Sequence, residues 1–298
     1  MSNPITGPMK PAFLILTPAC VMLGISTAVL AGAMPSVINI IIVLAGAVCA
    51  HISVNALNEY HDFKSGLDLI TVPTPFSGGS KALPDNPDKA WYGLATGIVS
   101  LVITCAVGIY FVYVRGIMLL PVGLLGVVII VLYTKWITKF PVLCLMASGL
   151  GFGPLMVMGT HFALTGSYNW ASFTVSLVPF FLVNDLLLLN QFPDAEADRT
   201  VGRKHLLIDK GARKSARIYV IFLFVSFIPV VAGVAAGILP ATSLIELVFL
   251  ILAIDISRGV LKNAENLPAL LPYMTRNVIM NIGAPVVLSA GILLSRIL

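Results

Sequence analysis

Charge is what this chain has least of. Only 10% of its 298 residues are Asp, Glu, Lys or Arg, while 58% are hydrophobic; a soluble domain carries roughly 25% charged residues. Charged side chains are missing altogether from 11–58, 90–114, 116–134, 140–184, 218–245 and 277–295. Runs of that length leave no solvated face, which excludes a soluble globule. The net charge of +5 comes mostly from the segments between the runs, so it argues for membrane topology and against nucleic-acid binding. Cysteine is also scarce. Cys20, Cys49, Cys105 and Cys144 sit inside apolar runs without metal or redox spacing and read as small packing residues. No low-complexity linker divides the chain, so 1–298 reads as one integral membrane domain.

What is present is a series of membrane-length apolar runs, each span needing about 20 residues. They predict an all-α polytopic bundle of nine transmembrane helices, approximately 12–33, 36–57, 91–113, 116–137, 141–165, 170–192, 214–237, 241–261 and 276–297. The eighth is the least apolar, since it holds Glu246, Asp255 and Arg258. With this count, sixteen of the eighteen Lys and Arg fall on one side, leaving Arg115 and Arg296 opposite. The positive-inside rule then places the N-terminus and the loops 58–90 and 193–213 in the cytoplasm, and a cell membrane as the location.

The few acids are not scattered. Asn58-Glu59-Tyr60-His61-Asp62 continues to Asp68, and Asn190-Gln191-Phe192-Pro193-Asp194 continues to Asp198. Each reads N-x-x-x-D followed by a further Asp, at the end of an apolar run, and the two are offset by 132 residues. This recurrence suggests two four-helix pseudo-repeats, about 11–139 and 140–262, plus a ninth helix; parallel repeats commonly hold their site between them. Residues four apart share a helix face, so Asn58 would stack on Asp62, and Asn190 on Asp194 and Asp198, with a kink at Pro193. Hard divalent ions such as Mg²⁺ take oxygen ligands and are completed by substrate phosphates. Neither cluster offers the His/Cys set expected of zinc. Either cluster alone would read as an ordinary solvated loop; two at equivalent helix ends favour a metal–diphosphate site.

A diphosphate also needs cations. Lys81 follows Phe76-Ser77-Gly78-Gly79-Ser80, whose backbone amides suit an anion. Arg203 and Lys204 follow Gly202, and Lys139 ends Tyr133-Thr134-Lys135-Trp136-Ile137-Thr138-Lys139. Each could instead be a cation that sets topology. Asp185, deep in the sixth run, is either a cavity residue or a structural carboxylate, and His161 reads as structural.

These motifs resemble the UbiA superfamily of intramembrane prenyltransferases, particularly its 1,4-dihydroxy-2-naphthoate branch. The first motif of that branch, N-D-Y-x-D-x-x-x-G-x-D, is similar to Asn58 through Asp68. The second, N-x-x-x-D-x-x-x-D-R-x-x-G-K/R, is similar to Asn190 through Arg203. Gly153-Pro154-Leu155-Met156-Val157-Met158-Gly159-Thr160 and Thr165-Gly166 add to the likeness. The resemblance implies a cytoplasm-facing cavity with a lateral opening for the isoprenoid tail. It also implies Mg²⁺-dependent transfer of a prenyl group from a prenyl diphosphate to a small aromatic acceptor, in quinone (menaquinone-type) biosynthesis, through an allylic carbocation. By position, Asn58, Asp62, Asp68, Asn190, Asp194 and Asp198 become metal–diphosphate residues, and Lys81, Lys139 and Arg203 diphosphate partners. Tyr133 becomes a cavity residue. The partners expected are these two substrates and the lipid bilayer, with no protein partner. Glu59 replaces the usual Asp, the Arg expected within 69–73 is missing, and His161 stands where Tyr is expected. A terpene cyclase of the same superfamily, or a membrane transporter, are the alternatives.

Overall fold

A bilayer offers no water to unpaired peptide groups, so the apolar runs must satisfy their own hydrogen bonds, and they do so as helices. The computed structural model describes residues 3–297, and among these every regular element is helical. Short 3₁₀ turns within Gly7–Phe13 meet α1 (Leu16–Leu30) at 56°. Then come α2 (Val37–Lys64), α3 (Leu67–Ile70), α4 (Trp91–Arg115) and α5 (Leu120–Leu132). Next, α6 (Pro141–Leu150) passes through a π-helical stretch, Gly151–Met158, into α7 (Gly159–Thr165). Pro154 lies inside that stretch, where a widened turn absorbs its missing N–H. The chain continues through α8 (Trp170–Asn190), α9 (Ala195–Thr200), α10 (Leu206–Lys210), α11 (Ala212–Val225) and α12 (Ile228–Ala235). A 3₁₀ segment, Ala241–Phe249, leads into α13 (Leu250–Asn263) and α14 (Leu267–Leu294).

Among the described residues, six helical stretches are long and apolar enough to cross a membrane, or seven if the bent pair Gly7–Phe13 and Leu16–Leu30 is one span. The expected nine exceed this number for two physical reasons. Ile117–Leu132 is apolar but shorter, and the segment 241–263 opens as a 3₁₀ helix and carries Glu246, Asp255, Arg258 and Lys262.

The main core lies where α1, α8, α11, α13 and α14 meet, around Leu23, Leu182, Leu189, Tyr219, Leu223, Ile256, Leu270 and Met280. In lipid such contacts are held by close packing, for which small residues are needed at helix crossings. A Cβ on Gly149 would lie 2.0 Å from the Phe180 carbonyl oxygen, and one on Gly153 2.4 Å from that of Ser176. α8 can therefore press against α6 and the π-helical stretch only because both are glycine. Asn184 locks the crossing, its Oδ1 accepting from Gly149 N at 2.7 Å. At the other extreme, no residue of α5 is buried.

Two helix ends position the site. α2 runs two turns beyond its expected end near residue 57, so Asn58 and Asp62 project from a helix rather than a loop. It stops where Ser65 N bonds the His61 carbonyl and Gly66 turns left-handed at φ 81°, a common helix ending. That reversal starts α3 and brings Asp68 back beneath α2. α8 ends at Asn190 instead of continuing with a kink. A turn through Pro193 precedes α9, and Asp198 N still bonds the Asp194 carbonyl at 2.8 Å.

Candidate active site

One cavity of about 740 Å³ gathers the ends of α2 and α8. Asn58, Asp62, Asp68, Tyr133, Asn190, Asp194, Asp198 and Arg203 all line it. Lys81, Lys139 and Lys204 do not. Lys139 and Lys204 are exposed, and the Lys204 backbone N–H is bound to the Thr138 carbonyl. The Lys81 ammonium donates to the carbonyls of Asp68 and Thr71, the latter at 2.6 Å. Its backbone is left-handed at φ 58°, which turns the side chain back into its own loop. The structure thus gives this lysine a loop-closing role where the sequence suggested a diphosphate partner.

The cations that do reach the acids are Arg203 and Lys10. Arg203 donates to Asp62 with one nitrogen and to Asp198, at 2.8 Å, with the other, joining the two motifs. Burial works against its charge, but flanking Asp62 and Asp198 outweigh burial and hold the guanidinium charged beyond its usual range. Asp198 also contacts His205 Nε2 at 3.1 Å. Lys10 Nζ lies 3.2 Å from Glu59 and 3.4 Å from Asn58 Oδ1. Lys10 and His205 both line the cavity and were missed from sequence. Lys10 precedes Asn58 by 48 residues and reads there as one more topological charge; no spacing links it to the motifs.

The remaining contacts form a polar frame. Asn58 Nδ2 donates to Asp62 Oδ2 at 3.0 Å, as their four-residue spacing predicts, and to Thr134 Oγ1 at 3.3 Å. The glycine-rich loop does offer its amides to anions, but the anions are the protein's own. Gly78 N donates to Asp194 Oδ2 at 3.0 Å, and Ser80 donates to Glu59 through both its amide and its hydroxyl, the latter at 2.8 Å. Glu59 is therefore a buried brace between α2, this loop and Lys10. Asp185 is fully buried, with both oxygens unpartnered, and lies outside the cavity lining. His161 is bonded to Thr27 at 3.0 Å.

Burial raises the Asp68 carboxyl to about 8, with Glu59 and Asp62 adding to the shift. Burial likewise raises Asp194 to about 6, helped by Asp198 and opposed by the Gly78 amide. Asp68 Oδ2 is buried without a hydrogen-bond partner. Two carboxyls kept from ionising freely, one with an orphaned oxygen, are what an all-oxygen cation site looks like before its cation is counted. Among the described residues, no three His, Cys, Asp or Glu side chains converge into a ready-made cage. That suits Mg²⁺, which keeps several waters and shares its shell with substrate phosphates.

A helical bundle in which one cavity gathers carboxylates and an arginine at the helix ends, above a largely apolar lining, defines an integral membrane protein with a polar site set against an apolar pocket. The sequence model of the UbiA prenyltransferase family matches residues 17–277. The chain belongs to that family. The 1,4-dihydroxy-2-naphthoate octaprenyltransferase of Bacillus subtilis (strain 168) is 31% identical over 191 residues, 62% of this chain; the match spans 59% of that protein's length. The fold is similar to an apo UbiA homologue from Aeropyrum pernix K1, with TM-score 0.65 and 16% identity over 95% of this chain and 98% of that one. It is also similar to a UbiA homologue from Archaeoglobus fulgidus bound to GPP and Mg²⁺, with TM-score 0.60, 12% identity and the same coverage. At such identities these two structures speak to the fold alone.

Proposed function

We propose that this protein transfers an isoprenoid chain from a prenyl diphosphate to a small aromatic acceptor of the dihydroxynaphthoate type, with Mg²⁺ as cofactor, in quinone biosynthesis. The observation that carries the reading is the convergence of both acidic motifs and Arg203 on one cavity whose remaining wall is mostly apolar, broken by His51, Asn55 and Thr104. A charged head and a hydrocarbon tail have adjoining environments there. The likeness to the Bacillus naphthoate enzyme supports the acceptor class, and the Mg²⁺- and GPP-bound homologue supports the donor and the ion.

Asp62, Asp68, Asp194 and Asp198, with Asn58 and Asn190, are the oxygen donors that would hold the ion against the diphosphate. When bound, Mg²⁺ supplies charge neutralisation for the departing diphosphate. Arg203, fixed between Asp62 and Asp198, is the cation placed to meet the same oxygens, and Lys10 is a second. The allylic C–O bond breaks and its electron pair leaves with the diphosphate. A carbon of the electron-rich ring attacks the allylic cation, and the ring then loses the proton at that carbon. Apolar walls keep water from capturing the cation first. The excess of Lys and Arg at the cavity end supports a cytoplasmic site in a cell membrane, and the recurrence of the motif supports two four-helix halves meeting across the cavity.

The test is mass spectrometry of products from purified protein given Mg²⁺, prenyl diphosphates of mixed length and a panel of aromatic acceptors. A prenylated aromatic that disappears in chelator is the expected result. A cyclised hydrocarbon formed without acceptor, or no consumption of diphosphate, would refute the reading.

A further inference from the structure

We infer that His51 is the residue that receives the aromatic acceptor, its free ring nitrogen pairing with a hydroxyl on the acceptor ring. The inference rests on the prenyl-transfer reading above and adds a specificity-determining contact to it.

His51 lies midway along α2 and lines the cavity. It precedes Asn58 by seven residues, which is two helical turns, so the two share a face. They are about 10 Å apart along the axis, and His51 sits beyond the acidic end. Around it on α2 the lining has become small and apolar, with Gly46, Ala47, Ala50 and Val54. An ionisable side chain placed within a span is costly and is usually turned toward a functional cavity.

The ring is held from behind. Thr17 on α1 lies with its Oγ1 2.8 Å from His51 Nδ1. On the same helix Ser26 and Thr27 turn their hydroxyls back onto carbonyls three residues earlier, both at 2.8 Å. Thr17 is committed to the histidine instead. Among the described residues nothing pairs with His51 Nε2, and that nitrogen is not sealed from the cavity. His161 makes the same pairing with Thr27, yet its Nε2 is shut inside the protein and the residue is off the cavity. Asn55 and Thr104 also break the apolar wall, but their donors are spent on backbone. Asn55 donates to the Met9 carbonyl at 3.1 Å, and Thr104 to those of Ser100 and Gly46.

A hydrocarbon tail offers His51 Nε2 no partner, and an unpaired polar atom facing hydrocarbon is costly. The occupant of this stretch therefore carries a polar group of its own. A carboxylate would be drawn to Lys10 and Arg203 at the acidic end, whereas an apolar wall favours a neutral group. A phenolic hydroxyl is neutral and can donate or accept, so it satisfies either tautomer of the ring. Beside His51 stands Phe152, edge-on with ring centroids 4.7 Å apart, and it too lines the cavity. Phe152 belongs to the π-helical stretch, a distortion frequent at functional sites, and the next residue, Gly153, is pressed against α8. The pair offers an aromatic ring one flat neighbour and one hydrogen bond, enough to fix its orientation.

The test compares wild type with His51→Leu, His51→Gln and Thr17→Val, using 1,4-dihydroxy-2-naphthoate and its two monomethyl ethers. The intrinsic reactivity of each acceptor is the same on every variant, so a change in preference reports the contact. The preference in kcat/KM for the hydroxyl over one of the ethers should fall by about tenfold in His51→Leu, the scale of one hydrogen bond. Glutamine, whose amide can reach the same place, should restore most of it, and Thr17→Val should lose part. KM for the prenyl diphosphate should stay within about twofold throughout. Unchanged acceptor preference in His51→Leu, or an equal rise in KM for both substrates, overturns the inference. Acceptor affinity is measured separately from turnover by tryptophan quenching with Mg²⁺ and inorganic diphosphate present. A tenfold weaker affinity in His51→Leu, in a protein that forms no prenylated product, would support the contact while refuting the proposed transfer.

Discussion

Arg203 is the strongest single lever on this site. Its side chain is 17% exposed and sits between Asp62 and Asp198, themselves 11% and 4% exposed. Replacing it by methionine keeps the apolar stem and removes the charge. Each contact is worth about 4 kcal/mol of attraction at the effective dielectric of a protein edge, much of it offset by dehydration of the ions. Taking away one partner of such a set costs about 3–5 kcal/mol, because the other charges stay buried. Asp62 keeps Asn58 at 3.0 Å and Asp198 keeps His205 at 3.1 Å, so the lower end, about 3 kcal/mol, is expected. Equilibrium unfolding in mixed micelles, followed by the fluorescence of the three tryptophans, measures it in chelator. Added Mg²⁺ should then stabilise Arg203→Met more than wild type, because two carboxylates have lost their internal cation. Adding Asp62→Asn to Arg203→Met should cost little further stability or restore some. Wild-type stability in chelator with no added response to Mg²⁺ would refute this account of the site.

Turnover should cease in chelator and return with Mg²⁺ in a product assay; full activity in excess chelator would remove the metal from the reaction. Asp62→Ala and Asp194→Ala should each lower kcat by at least about 100-fold, the usual scale for lost stabilisation of a departing charge, and near-normal rates would clear either residue of that role. The raised carboxyls set a pH dependence. An ion binds only the ionised forms, so Mg²⁺ affinity should climb as pH rises through about 6 for Asp194 and about 8 for Asp68 and level off above. A titration flat between pH 5.5 and 8.5 would show that neither carboxyl holds the ion. Lys81→Ala should leave KM for the diphosphate within about twofold while loosening the 67–81 loop by about 2 kcal/mol, the worth of its two lost hydrogen bonds to the Asp68 and Thr71 carbonyls. A large rise in KM would return this lysine to the diphosphate.

The acidic frame was legible because it follows helical arithmetic. Asn58 and Asp62 are one turn apart, and a 132-residue recurrence pointed to a second set that does share the cavity. The helical class was legible from charge-free runs alone. Loop geometry was not. Nothing in the order Gly78-Gly79-Ser80-Lys81 says that the amides bind Asp194 and Glu59 while the ammonium turns inward, since that depends on left-handed backbone at Gly78, Gly79 and Lys81. Lys10 reaches Glu59 only because the chain bends by 56° before α1. The break after Asn190 arose where sequence alone suggested a kink, because Pro193 cannot donate into a continuing helix.

The glycine-rich loop leaves both motifs already engaged. Asp194 is bonded by the Gly78 amide, Glu59 by Ser80, and Asp62 and Asp198 by Arg203. Apart from Asp68 Oδ2, which has no hydrogen-bond partner to give up, an arriving ion must exchange partners with the protein, and its apparent affinity is the difference between the bonds made and those surrendered. A lone hydrated Mg²⁺ gains little from that trade. An ion that enters with a diphosphate brings oxygens for the displaced amides and guanidinium, so every group finds a new partner in the same event. Such a site rests as a closed shell and discriminates by demanding ion and substrate together, which guards a membrane-embedded acid cluster against stray cations between turnovers.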